Sequence, residues 1–150
     1  MDVYRITLAK WAGTLTASGR AARWNSADRM VLYTASSRAL ACLENVVHRS
    51  GRGLQTDFLT MHIFVPDNQP VTYIDLPDLP SDWAEFEQYS TCQAIGDRWY
   101  DKAETLILCV PSAIIPYENN YLFNTRHPAF NQVEIRQVEP FQFDPRIKTV

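Results

Sequence analysis

The number of short β-prone runs in this chain limits its possible folds more than any other feature. Helical spacing of apolar residues is confined to a few segments, so strands and helices do not alternate regularly. That order favours an α+β domain. The predicted strands are residues 3–7, 30–34, 58–65, 71–76 and 104–110, with late strands indicated around Val133 and Ile135 and around Phe141 and Phe143.

The strongest predicted helix follows the second of these runs. Ser36 or Ser37 can cap it, it continues to about Arg49, and Gly51 and Gly53 end it. Two shorter helices are predicted, one from Ser81 or Asp82 to Tyr89 and one over residues 91–100. A turn at Pro66-Asp67-Asn68 is predicted to join the strands at 58–65 and 71–76. Residues 13–29 and 117–130 are predicted to be irregular.

The whole chain, residues 1–150, is expected to form one domain, because 150 residues suit a single hydrophobic core. Its net charge of -3 argues against a general nucleic-acid-binding role. No signal-peptide pattern or membrane-spanning run is visible. Cys42, Cys92 and Cys109 are odd in number and lack Cys-x-x-Cys spacing. These features predict a cytoplasmic protein with reduced cysteines.

Two arginines occupy positions at which a fixed cation could bind an anion. Arg23 precedes Trp24, which is expected to anchor its loop in the core, and a guanidinium fixed in this way could bind a diphosphate through two parallel hydrogen bonds. An ordinary surface arginine is the alternative. Arg5 lies between Tyr4 and Ile6 in the first strand. If it points inward, a structural carboxylate or a ligand phosphate must balance its charge.

Glu44 lies near the apolar face of the predicted helix, and His48 follows four residues later on the same face. The two form either an ordinary helix pair or part of a functional site. A metal site would require a third ligand, and His62 and His127 do not have a diagnostic spacing. No metal site is therefore predicted.

Ser112 follows Pro111 at the end of a strand, where sheets present side chains to ligands, although a turn or capping serine is the alternative. Tyr33 could offer an aromatic face to a planar ring or be a core tyrosine. The motifs Gly-x-Ser-x-Gly and Gly-x-Gly-x-x-Gly and the Walker phosphate loop are absent from the sequence. Neither a hydrolase nucleophile elbow nor a glycine-rich phosphate loop is therefore supported.

Taken with their neighbours, these residues follow the pattern of a known family. The chain resembles the RES domain family, named for its Arg, Glu and Ser, over nearly its whole length. The family usually has Gly-Gly where this chain has Ala21-Ala22. The segments that carry the likeness are Tyr4-Arg5-Ile6, Arg23-Trp24-Asn25, Val31-Leu32-Tyr33, Ala39-Leu40-Ala41-Cys42-Leu43-Glu44, Val110-Pro111-Ser112-Ala113, Asn120-Tyr121-Leu122 and Phe141-x-Phe143-Asp144-Pro145-Arg146.

The resemblance implies a toxin of a bacterial toxin–antitoxin system. The implied fold is similar to that of ADP-ribosyltransferase toxins, with a split, mostly antiparallel β-core and flanking helices. The implied substrate is NAD+, cleaved between nicotinamide and ribose with water or phosphate as acceptor, without a metal, so that growth stops. The implied partner is an Xre-type helix-turn-helix antitoxin that occludes the active site in a hetero-oligomeric complex. Direct binding of nucleic acid or membrane is not expected.

The resemblance also implies roles for individual residues, with Arg23, Glu44 and Ser112 as the catalytic group. Glu44 would stabilise the positive charge that grows on the ribose. Arg5 and Arg23 would clamp phosphate or ribose groups, and Tyr33 would stack on nicotinamide. Ser112 would position the nicotinamide end. The residues implied to bind NAD+ are Arg5, Arg23, Tyr33, Glu44, Ser112 and Asn120.

Two other functions stay open. A mono-ADP-ribosyltransferase would pass ADP-ribose to a specific protein instead of to water or phosphate. A catalytically degenerate module would only bind its antitoxin, and Ala21-Ala22 would mark its altered site. Retention of Arg23, Tyr33, Glu44 and Ser112 argues against that last possibility.

Overall fold

The structure is a computed structural model that describes residues 1–48 and 57–147. It has the predicted α+β class: one domain in which a seven-stranded, mostly antiparallel sheet carries two α-helices. The strands are β1 (Asp2–Leu8), β2 (Val31–Ala35), β3 (Phe58–Phe64), β4 (Val71–Tyr73), β5 (Ile107–Pro111), β6 (Asn119–Asn124) and β7 (Glu134–Phe141), and the helices are α1 (Arg38–His48) and α2 (Tyr89–Lys102).

The sheet is split into two halves, as predicted. Its strand order is β4-β5-β6-β2-β1-β3-β7, and only β4 and β5 run parallel. Strand β1 pairs with β3 along its whole length and β2 does the same with β6. In contrast, β1 and β2 meet at one register pair, Tyr4 with Ala35. We call this contact the β1–β2 joint, and among the described residues it is the only strand pairing between the β4-β5-β6-β2 half and the β1-β3-β7 half.

Helix α1 packs across the β1–β2 joint. Its buried Leu40 and Ala41 contact Ile6 of β1 and Ala35 of β2. The predicted cap is present, because the Ser37 hydroxyl accepts a hydrogen bond of 3.1 Å from the Leu40 amide. The predicted helix end at Arg49, Gly51 and Gly53 lies outside the described residues.

Helix α2 covers the larger half of the sheet. Its Cys92 and Trp99 pack with Leu108 of β5, Leu122 of β6 and the loop residue Trp24. A further core cluster joins Val3 and Met61 of one half to Leu32 and Phe123 of the other. The hydrophobic core is therefore continuous although the backbone pairing is almost interrupted.

The predicted turn that joins the strands at 58–65 and 71–76 is present, and in it the Gln69 amide donates to the Pro66 carbonyl over 3.2 Å. The two strands it joins do not pair with each other. Strand β3 already has β1 and β7 on its two edges, and the chain continues to β4 at the far end of the sheet. Pairing partners depend on contacts far apart in sequence, which a local turn pattern does not reveal.

Three local predictions are corrected. The irregular chain predicted over 117–130 contains β6, whose Leu122 and Phe123 are fully buried between β5 and β2. The helix predicted from Ser81 or Asp82 is a series of turns that ends in a 3-10 helix at Phe86–Gln88, and α2 starts directly after it. The late chain forms one strand, β7, and Phe143 lies beyond it with its ring against Phe58 and Phe141.

Among the described residues, no helix combines the length and the apolar character needed to cross a membrane.

Candidate active site

A cavity of about 520 Å³ opens at the β1–β2 joint. Ligand sites of small molecules have volumes of about 300–1,000 Å³. The joint places this cavity, because strands that pair at only one position leave room between them. Five of the six predicted site residues line it, namely Arg5, Arg23, Tyr33, Glu44 and Asn120.

The guanidinium of Arg23 is fixed in the cavity wall. Its Nη1 donates to the carbonyl of Trp83 over 3.0 Å, and its Nη2 donates to the carbonyl of Ala84 over 2.8 Å. The group also lies over the ring of Tyr89, 4.5 Å from the centroid. These contacts use only part of its N–H donors, so the others can bind an anion.

The loop that carries Arg23 packs directly on α2. Trp24 is 3% exposed and anchors the loop as predicted. A Cβ atom at Gly96 would lie 1.7 Å from the Trp24 carbonyl oxygen, so only glycine permits this approach. Gln93 Nε2 donates to the Ala22 carbonyl over 2.9 Å. Helix α2 therefore holds the chain on both sides of Arg23.

Tyr33 of β2 connects the loop to the sheet. Its hydroxyl donates to Asn25 Oδ1 over 2.6 Å and accepts a hydrogen bond of 3.2 Å from the Trp24 amide. Burial raises the pKa of Tyr33, so the phenol stays neutral. The hydroxyl is therefore a structural group, and only the ring is left to face a ligand.

Helix α1 carries Glu44 into the cavity wall. Its Oε1 accepts a hydrogen bond of 2.8 Å from the Ser112 hydroxyl, and its Oε2 lies 3.3 Å from His48 Nε2. The predicted contact between Glu44 and His48 is therefore present. Each carboxylate oxygen has a partner, which fixes the orientation of the group, while 22% of the Glu44 side chain stays exposed.

Arg5 lies in β1 beside the β1–β2 joint. Within residues 1–48 and 57–147, no carboxylate oxygen lies within 4.0 Å of its side-chain nitrogens. Burial lowers the pKa of Arg5, although a guanidinium stays charged at any ordinary pH. A partly buried cation without a carboxylate partner is costly, so this position favours an anionic ligand.

Comparison with known proteins supports the resemblance found in the sequence. The family model of the RES domain matches residues 2–144. The chain belongs to the RES domain family.

Several relatives are similar along most of their length. A Toxin Res of Photorhabdus laumondii is 37% identical over 137 residues, which cover 88% of this chain and 86% of the relative. A Toxin Res of Yersinia enterocolitica is 35% identical over 154 residues, with coverage of 99% and 100%. A Prs ADP-ribosylating toxin of a Sphingobium species is 37% identical over 127 residues, with coverage of 83% and 79%.

A solved structure has the same fold. A chain of the MbcT–MbcA toxin–antitoxin complex of M. tuberculosis superposes with a TM-score of 0.73 and covers 94% of this chain and 84% of its own length. Its sequence identity is 22%.

Ser112, the sixth predicted site residue, does not line the cavity. It is fully buried at the end of β5. Its hydroxyl donates to Glu44 and accepts two hydrogen bonds of 3.1 Å, from the amides of Ile114 and Ile115. One proton and two lone pairs are the whole capacity of a serine hydroxyl. In this RES domain Ser112 therefore contacts the site through Glu44.

Asn120 lines the cavity from β6, and its Nδ2 donates to the Thr34 carbonyl over 3.3 Å. Sequence reasoning missed other lining residues, among them Tyr89 and Asn45. Asn45 directly follows Glu44 on α1, and this adjacency could have indicated it. Tyr89 lies in a stretch without any motif, and only the fold brings it to Arg23. Among the described residues, no group of three or more His, Cys, Asp or Glu side chains forms a metal site.

Proposed function

We propose that this RES-domain protein binds NAD+ and cleaves the bond between nicotinamide and ribose. One observation carries the proposal: a single cavity combines two arginines that lack carboxylate partners among the described residues, Arg5 and Arg23, with an oriented carboxylate, Glu44. A dinucleotide carries two adjacent phosphates, which arginines can bind. Cleavage of its bond between ribose and nicotinamide creates positive charge on the ribose, which a carboxylate can stabilise.

In the proposed reaction, the electron pair of the ribose–nitrogen bond leaves with nicotinamide, which departs as a neutral base. Positive charge appears on the ribose ring, as in glycoside cleavage, and Glu44 stabilises it. The acceptor, water or phosphate, then bonds to the ribose carbon and loses a proton. Arg5 and Arg23 hold the phosphates, the Tyr33 ring faces nicotinamide, and Asn120 supports that end of the site. Ser112 positions Glu44.

The test measures nicotinamide release from NAD+ by purified protein. We expect Glu44→Gln, which removes the charge at nearly constant size, to lower turnover by about 100-fold or more. Arg23→Ala should lower kcat/KM because the phosphate clamp is lost. Glu104→Gln changes an exposed carboxylate outside the cavity and serves as the matched control. Turnover that survives both Glu44→Gln and Arg23→Ala would reject the assignment.

Transfer of ADP-ribose to a specific protein is the second candidate. The name of the Sphingobium relative, Prs ADP-ribosylating toxin, favours it. The chemistry at Glu44 would be the same, and only the acceptor would differ. Adenylate-labelled NAD+ incubated with a cell lysate distinguishes the two, because transfer yields a discrete labelled protein band that is absent with Glu44→Gln, whereas hydrolysis or phosphorolysis yields labelled small molecules.

We further propose that residues 1–150 form one RES domain acting as the toxin of a toxin–antitoxin pair in the cytoplasm, where loss of NAD+ stops growth. The names of the relatives and of the complex with the same fold support this setting. The proposed partner is an Xre-type antitoxin that occludes the cavity. Co-purification with the product of a neighbouring helix-turn-helix gene, together with inhibited nicotinamide release, would support this partner. Full activity in a stable complex would reject occlusion.

A further inference from the structure

We propose that a side cleft beside the main cavity binds the adenosine-side phosphate of the dinucleotide, with Arg20 as its main ligand. The inference rests on the proposed function. The cleft has a volume of about 190 Å³ and includes Ser18 and Arg20 in its lining. It shares Arg5, Ala22 and Tyr33 with the main cavity, so these side chains lie between the two spaces.

The positive charge of the cleft is not balanced by the protein. Among the described residues, no Asp or Glu lines the cleft. No carboxylate oxygen of the described residues lies within 4.0 Å of a side-chain nitrogen of Arg5 or Arg20. The arginines that do form ion pairs line neither cavity; they are Arg29, Arg38, Arg136 and Arg146. Arg5 and Arg20 therefore present guanidinium groups without carboxylate partners at a space that a ligand can enter, and such groups can bind phosphate oxygens.

The backbone beneath Arg20 is fixed before any ligand binds. The Arg20 carbonyl accepts from Asn25 Nδ2 over 2.9 Å, and the Gly19 carbonyl accepts from the Asp28 amide over 2.8 Å. Gly19 has a φ of +71°, which favours glycine at this turn. The Arg20 amide donates to Ser18 Oγ over 3.2 Å, which leaves the serine proton free to donate to a phosphate.

The positions of the arginines give the order of the two phosphates. Glu44 lines only the main cavity, so the nicotinamide ribose lies there. Arg5 lines both spaces and is therefore placed to bind, together with Arg23 of the main cavity, the phosphate on that ribose. Arg20 lines only the side cleft and is placed to bind the next phosphate, which bears adenosine. The dinucleotide would thus pass over Arg5 from one space into the other.

The experiment compares NAD+ with nicotinamide mononucleotide, which has the same scissile bond and only the first phosphate. For Arg20→Ala we expect kcat/KM for NAD+ to fall by about tenfold or more, mainly through KM, with kcat/KM for the mononucleotide unchanged. Arg98→Ala removes an exposed arginine that lines neither space, and it should leave both substrates unaffected. Equal thermal unfolding of the variants would confirm that they fold.

Two results would overturn the inference: no change with either substrate, or the same loss with both. An equal loss with both substrates would also result if the cleft bound free inorganic phosphate. In that case the loss in kcat/KM would depend on the concentration of added phosphate, which would identify this occupant. A wild-type protein that releases no nicotinamide would instead reject the proposed function. In that case, calorimetry with ADP-ribose still tests the proposed role of the cleft. Weaker binding of ADP-ribose by Arg20→Ala than by wild type would support this role, and equal affinity would refute it.

Discussion

The hydroxyl of Ser112 links two elements that meet at the cavity. It ties Glu44 of α1 to the amides of Ile114 and Ile115, which follow β5. A carboxylate held in this way keeps one orientation as charge develops on a substrate, so no reorganisation is required during the reaction. At the scale of the single residue, we propose that Ser112 positions Glu44.

Ser112→Ala tests this role. We expect kcat for nicotinamide release to fall while KM for NAD+ changes little, because the substrate contacts remain and only Glu44 loses its orientation. Two partly buried amides would also lose their acceptor, which should lower the free energy of unfolding by about 1 kcal/mol. The measurements are steady-state kinetics and denaturant unfolding.

The exposed Ser90 of α2 provides the control, since Ser90→Ala should alter neither quantity. If Ser112 bound nicotinamide directly, its replacement would raise KM instead, and that result would contradict the positioning role.

The sequence is most informative about residues that belong to a recognisable motif. Arg5, Arg23, Tyr33 and Glu44 all line the cavity as expected. Ser112 also lies beside the site, yet its indirect contact was not predictable, because a motif identifies a residue without its hydrogen bonds. The two carbonyls that hold Arg23 belong to the backbone, which leaves no trace in residue type.

Helix α2 illustrates the same limit at the scale of an element. The sequence predicted a helix there, but no motif among its residues indicated a connection to the site. Contact with the Arg23 loop depends on Gly96, and a glycine within a helical pattern was the only available signal. Local patterns likewise located β1, β2 and α1 within a few residues, whereas the partner of β4 depended on long-range pairing.

Gly96→Ala tests the support that α2 gives to Arg23. Because the added methyl would meet the Trp24 carbonyl, α2 and the loop must separate. We expect a raised KM for NAD+ and a lower melting temperature. Asp97→Asn is a milder companion, since Asp97 accepts hydrogen bonds of 2.8 and 2.5 Å from the Ser26 amide and hydroxyl. It should raise KM with a smaller loss of stability than Gly96→Ala, a loss that includes the 3.3 Å ion pair of Asp97 with Arg29.

The control for both variants is Ala94→Ser at an exposed position of the same helix. Unchanged KM in Gly96→Ala and Asp97→Asn would show that α2 does not position the cation.

At the scale of the whole molecule, the proposed ligand joins the two halves of the sheet. Arg5 belongs to the β1-β3-β7 half, whereas Tyr33 belongs to the other half. We expect NAD+ to raise the melting temperature of Glu44→Gln, in which the dinucleotide should stay intact. A ligand at 100 times its Kd stabilises a protein by about 2.7 kcal/mol.

Adenosine is the control ligand, because it lacks both phosphates and should give a much smaller shift. Arg5→Ala in the Glu44→Gln background should abolish most of the shift with NAD+. A full shift in that double variant would show that the dinucleotide binds without Arg5.

Because β1 and β2 share a single register pair, we expect local opening of the sheet to begin at the β1–β2 joint. Separation of the two halves breaks only one register pair between β1 and β2. The neighbouring pairings, β1 with β3 and β2 with β6, each extend over five or more positions. Regions with little pairing exchange their amide hydrogens through local opening, well before the molecule unfolds globally. The amides beside Tyr4 and Ala35 are thus natural reporters of site occupancy, and their exchange should slow when a ligand spans the joint.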